Sequence, residues 1–151
     1  MLPFGAMASA PREVWGDLAT TAFVESSILF KSLDPEAIRD LLQIAQLVTW
    51  APGETISGER DDCFYLLVEG AAQAVSGGAE TFQVERSGLF GVGRALGAPR
   101  PITLVARTDV TAVVFPAPMI AALVERFPRM RKLLEAVRVA RDKGGAGAPT
   151  P

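Results

Sequence analysis

Apolar residues recur at helical spacing near both ends of the chain and in short strand-like runs between them. Near the amino terminus, Pro11–Leu29 carries an imperfect helical pattern that predicts a first helix. The next segment has a clearer pattern, because Asp34 is placed as an N-cap and Pro35 as the first helical residue. A second helix is therefore predicted, with one apolar stripe formed by Ile38, Leu41, Leu42 and Ala45.

The middle of the chain has the pattern of short antiparallel strands. Runs rich in Val, Thr, Phe and Tyr are separated by turn residues such as Pro52-Gly53 and Gly70. Short strands at this spacing are typical of a jelly-roll-like closure. The predicted strands are Leu47–Ala51, Glu54–Ile56, Phe64–Glu69, Ala72–Val75, Thr81–Glu85, Ile102–Arg107 and Val110–Phe115.

Two more helices are predicted after the last strand. Pro118 stands where a helix can begin, and Pro128 interrupts the pattern before a second helix follows. That last helix has an apolar face and a charged face. The apolar face consists of Met130, Leu133, Leu134 and Val137, and the charged face of Arg131, Lys132, Glu135, Arg138 and Arg141.

These elements predict an α+β fold with one antiparallel β roll, also called a double-stranded β-helix, between helical ends. The roll covers about residues 46–116, and the flanking helices about 11–45 and 118–143. One domain over residues 11–143 contains all of them. A mobile lead is expected over residues 1–10 and a disordered tail over 144–151.

The composition of the chain excludes several classes of function. The chain has 151 residues, of which 49% are hydrophobic, and a net charge of -2, which gives no general attraction to nucleic acid. It has no histidine and a single cysteine, Cys63, so neither a catalytic site nor a metal site is predicted. Cys63 lies in a strand-like run and is interpreted as a packed side chain. These features, without an apolar run long enough for a membrane span, favour a cytoplasmic protein.

Four strings in the chain resemble cyclic-nucleotide-binding domains. They are Leu29–Leu33 with Pro35-Glu36, Ala51–Ile56, Phe64–Gly70, and Phe90-Gly91. The order of helices, roll and helices is also similar to that family, and the resemblance covers about Leu29 to Leu134. It implies that the segment from Phe90 to Thr103 is a phosphate-binding cassette.

The cassette departs from the pattern that the resemblance implies. Val92 stands where the family has a glutamate for the ribose 2′-hydroxyl, and Arg94 stands where it has a small residue. Arg100 matches the phosphate-binding arginine, but the next residue, Pro101, has no backbone N–H to donate. If the pocket is functional, its ligand-binding residues are Phe90, Gly91, Val92, Gly93, Arg94, Arg100 and Thr103.

Two functional hypotheses follow. The first is a non-enzymatic regulatory or scaffolding module with a degenerate pocket and no cofactor. It would bind another protein, or a second copy of itself, through Met130, Leu133, Leu134 and Val137 of the terminal helix. The alternative is a small sensor that binds cAMP, cGMP or another phosphorylated ligand through Arg100. No DNA-binding domain is expected, because bacterial catabolite-activator-like regulators carry a helix-turn-helix where this sequence ends.

Overall fold

The computed structural model of the protein describes residues 10–144. The expected lead and tail lie outside the described residues, apart from Ala10 and Gly144. Within the described range the strands are β1 (Arg12–Glu13), β2 (Gln46–Trp50), β3 (Thr55–Ser57), β4 (Cys63–Glu69), β5 (Ala72–Ser76), β6 (Ala79–Val84), β7 (Leu89–Phe90), β8 (Thr103–Ala106) and β9 (Val110–Pro116). The helices are α1 (Leu18–Ser26), α2 (Pro35–Ile44), α3 (Val92–Ala95), α4 (Ala117–Arg126) and α5 (Pro128–Gly144).

The strands form two antiparallel sheets that make the predicted β roll. One sheet has the order β1-β2-β9-β4-β7, and the other has the order β3-β8-β5-β6. Each of the seven predicted runs overlaps one strand, β2 to β6, β8 or β9, with bounds that differ by no more than two residues. The predicted fold class, α+β with a roll between helical ends, is confirmed.

The core lies on both faces of the five-stranded sheet, which explains why its central strands are apolar without alternation. In β4, Phe64 and Leu66 pack with the helices, whereas Tyr65 and Leu67 point into the roll. The neighbouring β9 alternates in the same way. These residues are all fully buried, so one sheet separates a helical layer from the interior of the roll.

The helix ends follow local sequence signals. Asp34 caps α2 by accepting a hydrogen bond from the Ala37 backbone N–H at 2.9 Å, as predicted. Phe127 is extended because it precedes Pro128, and α4 and α5 meet there. Among the helices of residues 10–144 we find none with the length and apolar character needed to cross a membrane.

The prediction of one helix over Pro11–Leu29 is wrong in its first part. Residues Arg12 and Glu13 form β1, which pairs with Leu47 and Gln46 of β2. The helix α1 begins only at Leu18. Gly16 has a φ of 97°, which lies outside the helical region and so excludes it from a helix. Strand pairing at a sheet edge therefore overrides a weak helical pattern.

Candidate functional site

The cassette is a strand–turn–helix whose glycines are required by close backbone contacts. β7 ends at Phe90, and Gly91 turns the chain into α3 with a φ of 100°. A Cβ added at Gly91 would lie 2.7 Å from the Cys63 carbonyl oxygen, and one at Gly93 would lie 2.5 Å from that of Ala98. Only glycine fits these positions without rearrangement, so the cassette packs tightly on β4 and on its own loop.

A cavity of about 420 Å³ lies between the cassette, the β5–β6 hairpin and the end of α5. Of the residues predicted for a ligand site, Phe90, Gly91, Val92, Gly93, Arg94 and Arg100 line this cavity. Thr103 begins β8 and is not part of the lining. The apolar wall includes Phe82 and Ile102, and the charged wall contains four arginines and one aspartate.

Arg94 faces the cavity but binds the protein's own backbone. Its Nη1 donates to the Cys63 carbonyl oxygen and its Nη2 to that of Gly58, each at 2.9 Å. Its guanidinium also lies 5.4 Å from the centre of the Phe90 ring, a cation–π contact. Arg94 therefore holds both ends of the β3–β4 loop against the cassette, and two of its donors are no longer available to an anion.

Arg100 is paired with a carboxylate of the terminal helix. Its Nη2 lies 2.7 Å from Oδ1 of Asp142, with 52% of the Arg100 side chain and 33% of the Asp142 side chain exposed. Arg138 approaches the other oxygen of Asp142 at 3.5 Å and also pairs with Glu135 at 2.8 Å. A hydrogen bond with Glu135 raises the pKa of Arg138. The arginine that the resemblance assigns to phosphate thus binds an internal anion.

Arg141 fixes the end of α5 to the roll. Its Nη2 donates to the Leu89 carbonyl oxygen at 2.6 Å, and its guanidinium lies 4.2 Å from the centre of the Phe82 ring. Burial lowers its pKa to about 10, so the group is still cationic at neutral pH. Arg141, which the sequence places on the charged face of the last helix, therefore packs on the roll.

The position expected for a ribose-binding acid has no polar group. Val92 is 4% exposed and packs in the cluster between the helices and the five-stranded sheet. Asp142 is the carboxylate in the described lining, and it comes from α5 rather than from the cassette. Arg100 brings guanidinium donors to the cavity, whereas the side chain of Val92 cannot accept a hydrogen bond from a hydroxyl.

Cys63 shows no sign of activation as a nucleophile. Burial, followed by the charge of Asp61, raises the pKa of its thiol to about 12. Among the described residues no group of three or more His, Cys, Asp or Glu side chains is placed to hold a metal ion.

Sequence reasoning did not find which residues of α5 line the cavity. Arg138, Arg141 and Asp142 all line it, and Phe82 comes from the β5–β6 hairpin. In the helix predicted as an interaction surface, Met130 and Leu134 are fully buried in the chain's own core. Its other two predicted residues, Leu133 and Val137, are partly buried against that core. The spacing of Arg138, Arg141 and Asp142 on one side of α5 was the available signal.

Comparison with known proteins gives a family whose model covers most of the roll. The family described as "Cyclic nucleotide-binding domain" matches residues 47–127, just over half of the chain. A comparison with curated proteins gives no match.

Several solved structures share the fold. The regulatory domain of Toxoplasma gondii PKA, crystallised with cAMP, is 19% identical with a TM-score of 0.65, covering 79% of this chain and 48% of that one. The sensor domain of the transcriptional regulator DNR from Pseudomonas aeruginosa is 17% identical with a TM-score of 0.69, covering 80% and 91%. The regulatory subunit of a cAMP-independent protein kinase A from Trypanosoma brucei is 16% identical with a TM-score of 0.60, covering 72% and 44%. The alignment thus spans about half the length of the first of these chains.

Proposed function

Since the chain belongs to the cyclic nucleotide-binding domain family, we propose that it is a non-enzymatic regulatory or scaffolding module that acts through contacts with another protein. In this proposal its pocket does not bind cAMP or cGMP at the concentrations at which a sensor works. The observation that carries the proposal is the pairing of Arg100 with Asp142, together with a buried Val92 where a ribose hydroxyl would need an acceptor.

The size of the expected loss supports a degenerate pocket. A hydrogen bond to or near a charged group is worth about 1.5 to 3 kcal/mol, so two missing contacts remove roughly 3 to 6 kcal/mol. Each 1.4 kcal/mol corresponds to about a tenfold change in affinity. A micromolar site would therefore become a millimolar one. The regulatory subunit from Trypanosoma brucei, described as cAMP-independent, has the same fold.

Exposed apolar side chains support contact with another protein. Trp15, Leu18, Ile28 and Ile44 are exposed, and all of them lie in the helical segment before the roll. In α5, Val139 is also exposed. Exposed apolar surface of this kind is suited to docking, with a partner protein or with a second copy of the chain.

The second candidate is a small sensor of a phosphorylated ligand, and a specific observation favours it. Four arginines and one aspartate line the same cavity of about 420 Å³, which leaves it an excess of positive charge. A phosphate group suits such an environment better than a neutral ligand does. Arg100 would be its first contact, as the sequence predicts.

Thermal unfolding with cAMP or cGMP at 1 mM tests the proposal. A site with a micromolar dissociation constant would raise the unfolding free energy by about 4 kcal/mol, and a millimolar site by about 0.4 kcal/mol. We expect the smaller effect, with the same result for Arg100→Ala. A large stabilisation that Arg100→Ala abolishes would establish the sensor instead. The scaffolding role would fail if the protein eluted as a monomer and cross-linking in cell extract captured no partner.

A further inference from the structure

The helical segment before the roll has an open groove of about 420 Å³, which we call the N-terminal groove. It lies between α1, the residues just before it, and α2. Its lining is largely apolar, with the buried Leu33 and Leu42, the partly buried Ile38, and Trp15, which is 46% exposed. Apolar grooves next to an exposed tryptophan are suited to the centre of a protein–protein interface.

The outer face of α1 leads along this groove. The helix buries Thr20 and Val24 against the chain's own core, so its opposite side is open to solvent. That side carries Leu18, Ala22 and Glu25, which are spaced to share one face. Leu18 is 82% exposed, whereas Glu25, about 10 Å further along the helix, lines the groove. The face thus runs from an exposed leucine to a groove residue, with a small side chain between them.

The charges of the groove are balanced, and this favours a second copy of the chain as its occupant. One acid and one base line it, Glu25 from α1 and Arg39 from α2. Neither group belongs to the ion pairs found within residues 10–144. In two copies related by a twofold axis, the acid of each copy can meet the base of the other. A strongly basic or strongly acidic partner would be attracted by one of these groups and repelled by the other.

The start of α1 is fixed before any partner binds. Val14 is fully buried, and its carbonyl oxygen accepts a hydrogen bond from the Asp17 backbone N–H at 2.9 Å. The Asp17 carboxylate in turn accepts one from the Thr20 hydroxyl, also at 2.9 Å. Trp15 and Leu18 are therefore presented by an ordered backbone, which lowers the entropy that association would cost.

We propose that a second copy of this chain covers the N-terminal groove, through antiparallel pairing of the two α1 helices about Ala22. Ala22 lies four residues after Leu18 and three before Glu25, so this pairing places Leu18 of each copy beside Glu25 of the other, at its groove. The small side chain of Ala22 lets the two helices approach closely. Glu25 of each copy then pairs with Arg39 of the other. The inference rests on the proposed function and names the partner of its protein contact.

Sedimentation velocity of the full chain over about 5 to 500 µM measures the association. We expect the mass of the wild type to double as the concentration rises. Leu18→Lys should weaken the association at least about tenfold, since it places a charge in an apolar contact. Leu18 is almost fully exposed, so this variant still folds. Val139→Lys is the matched control, because it makes the same kind of change at an exposed apolar residue of α5 and should leave the association unchanged.

A charge exchange tests the antiparallel pairing itself. Glu25→Arg and Arg39→Glu should each weaken the association, because each brings like charges together across the twofold axis, and the double variant should restore it. Acrylamide quenching of tryptophan fluorescence gives a second measurement. Trp50 is buried and Trp15 is half-exposed, so quenching reports on Trp15 and should decrease as the dimer forms. A double variant as weak as the single ones, or quenching that does not change, would overturn the pairing.

Other outcomes would overturn the inference as a whole. Association lost in Val139→Lys and kept in Leu18→Lys would assign the interface to α5 instead of α1. A monomer at every concentration would also overturn it, and the scaffolding proposal would then require a different protein as partner. Micromolar cAMP binding would contradict the proposed function while leaving the dimer in place, so the failures of the two proposals are distinguishable.

Discussion

Replacing Arg94 by alanine should destabilise the protein, because this side chain connects the cassette to the loop between β3 and β4. It donates one hydrogen bond at each end of that loop, to Gly58 and to Cys63, both at 2.9 Å. Hydrogen bonds from a charged group contribute about 1.5 to 3 kcal/mol each. The guanidinium is only partly buried, so the lower end applies to both, and the expected loss is about 3 kcal/mol. Arg94→Lys should lose roughly half of this, because an ammonium group cannot span both carbonyl oxygens.

Urea unfolding followed by tryptophan fluorescence measures the loss. With a slope near 2 kcal/mol per molar urea, about 3 kcal/mol lowers the midpoint by about 1.5 M. Arg60→Ala is the control: Arg60 is an exposed arginine of the same loop, and its removal should change the stability by no more than about 0.5 kcal/mol. An Arg94→Ala protein as stable as the wild type would refute the structural role.

Two further predictions concern the same region. Gly91→Ala should lower the free energy of unfolding by at least about 3 kcal/mol, and Gly53→Ala by about 1 kcal/mol. Both glycines have a positive φ, but only the Cβ at Gly91 would meet backbone, the Cys63 carbonyl oxygen at 2.7 Å. Equal losses of stability in thermal unfolding would contradict this contact. Burial also raises the pKa of the Cys63 thiol to about 12 and the pKa of the Tyr65 phenol above its usual value of about 10. The folded state therefore keeps protons that the unfolded state loses, so stability is full below about pH 8.5 and falls as the pH rises towards 12. Urea midpoints measured between pH 7 and 11 should show this decline. Tyr65→Phe should show a smaller decline with pH, although the loss of its hydrogen bond to Asp61 lowers the midpoint at pH 7. A midpoint that rises with pH would contradict the raised pKa values.

The roll could be predicted because its strands are short, apolar and separated by residues that favour turns. β4 and β9 are buried on both faces, so their sequences read as largely apolar runs without alternation. Their short length, their aromatic and β-branched side chains and the turn residues around them favour strands over helices. Local signals were also sufficient for α2, where Asp34 and Pro35 mark the first turn. These features depend on residues close together in the chain.

The contacts that define the cavity could not be predicted in this way. Helical spacing places Arg138, Arg141 and Asp142 on one side of α5, but it does not say that the end of α5 rests on the cassette. The partners of Arg94 are backbone carbonyl oxygens 31 and 36 residues earlier in the chain. Every residue has such a carbonyl, so the sequence does not identify which ones accept. β1 depends on an edge of the sheet formed by β2, which is equally distant. The position of the end of α5, the partners of Arg94 and the strand β1 thus all depend on contacts between residues far apart in the chain.

If the protein is the phosphate sensor of the second candidate function, Asp142 should have opposite effects on stability and on ligand binding, because its carboxylate is paired with Arg100. Four guanidinium groups around one cavity repel each other, and the carboxylate of Asp142 offsets part of that repulsion. Its removal should therefore lower stability, by no more than about 1 kcal/mol because the ion pair is half-exposed. The same removal frees Arg100 for a phosphate and should tighten binding. A residue that only supports the fold would weaken both properties, whereas a ligand-mimicking carboxylate lowers one and raises the other.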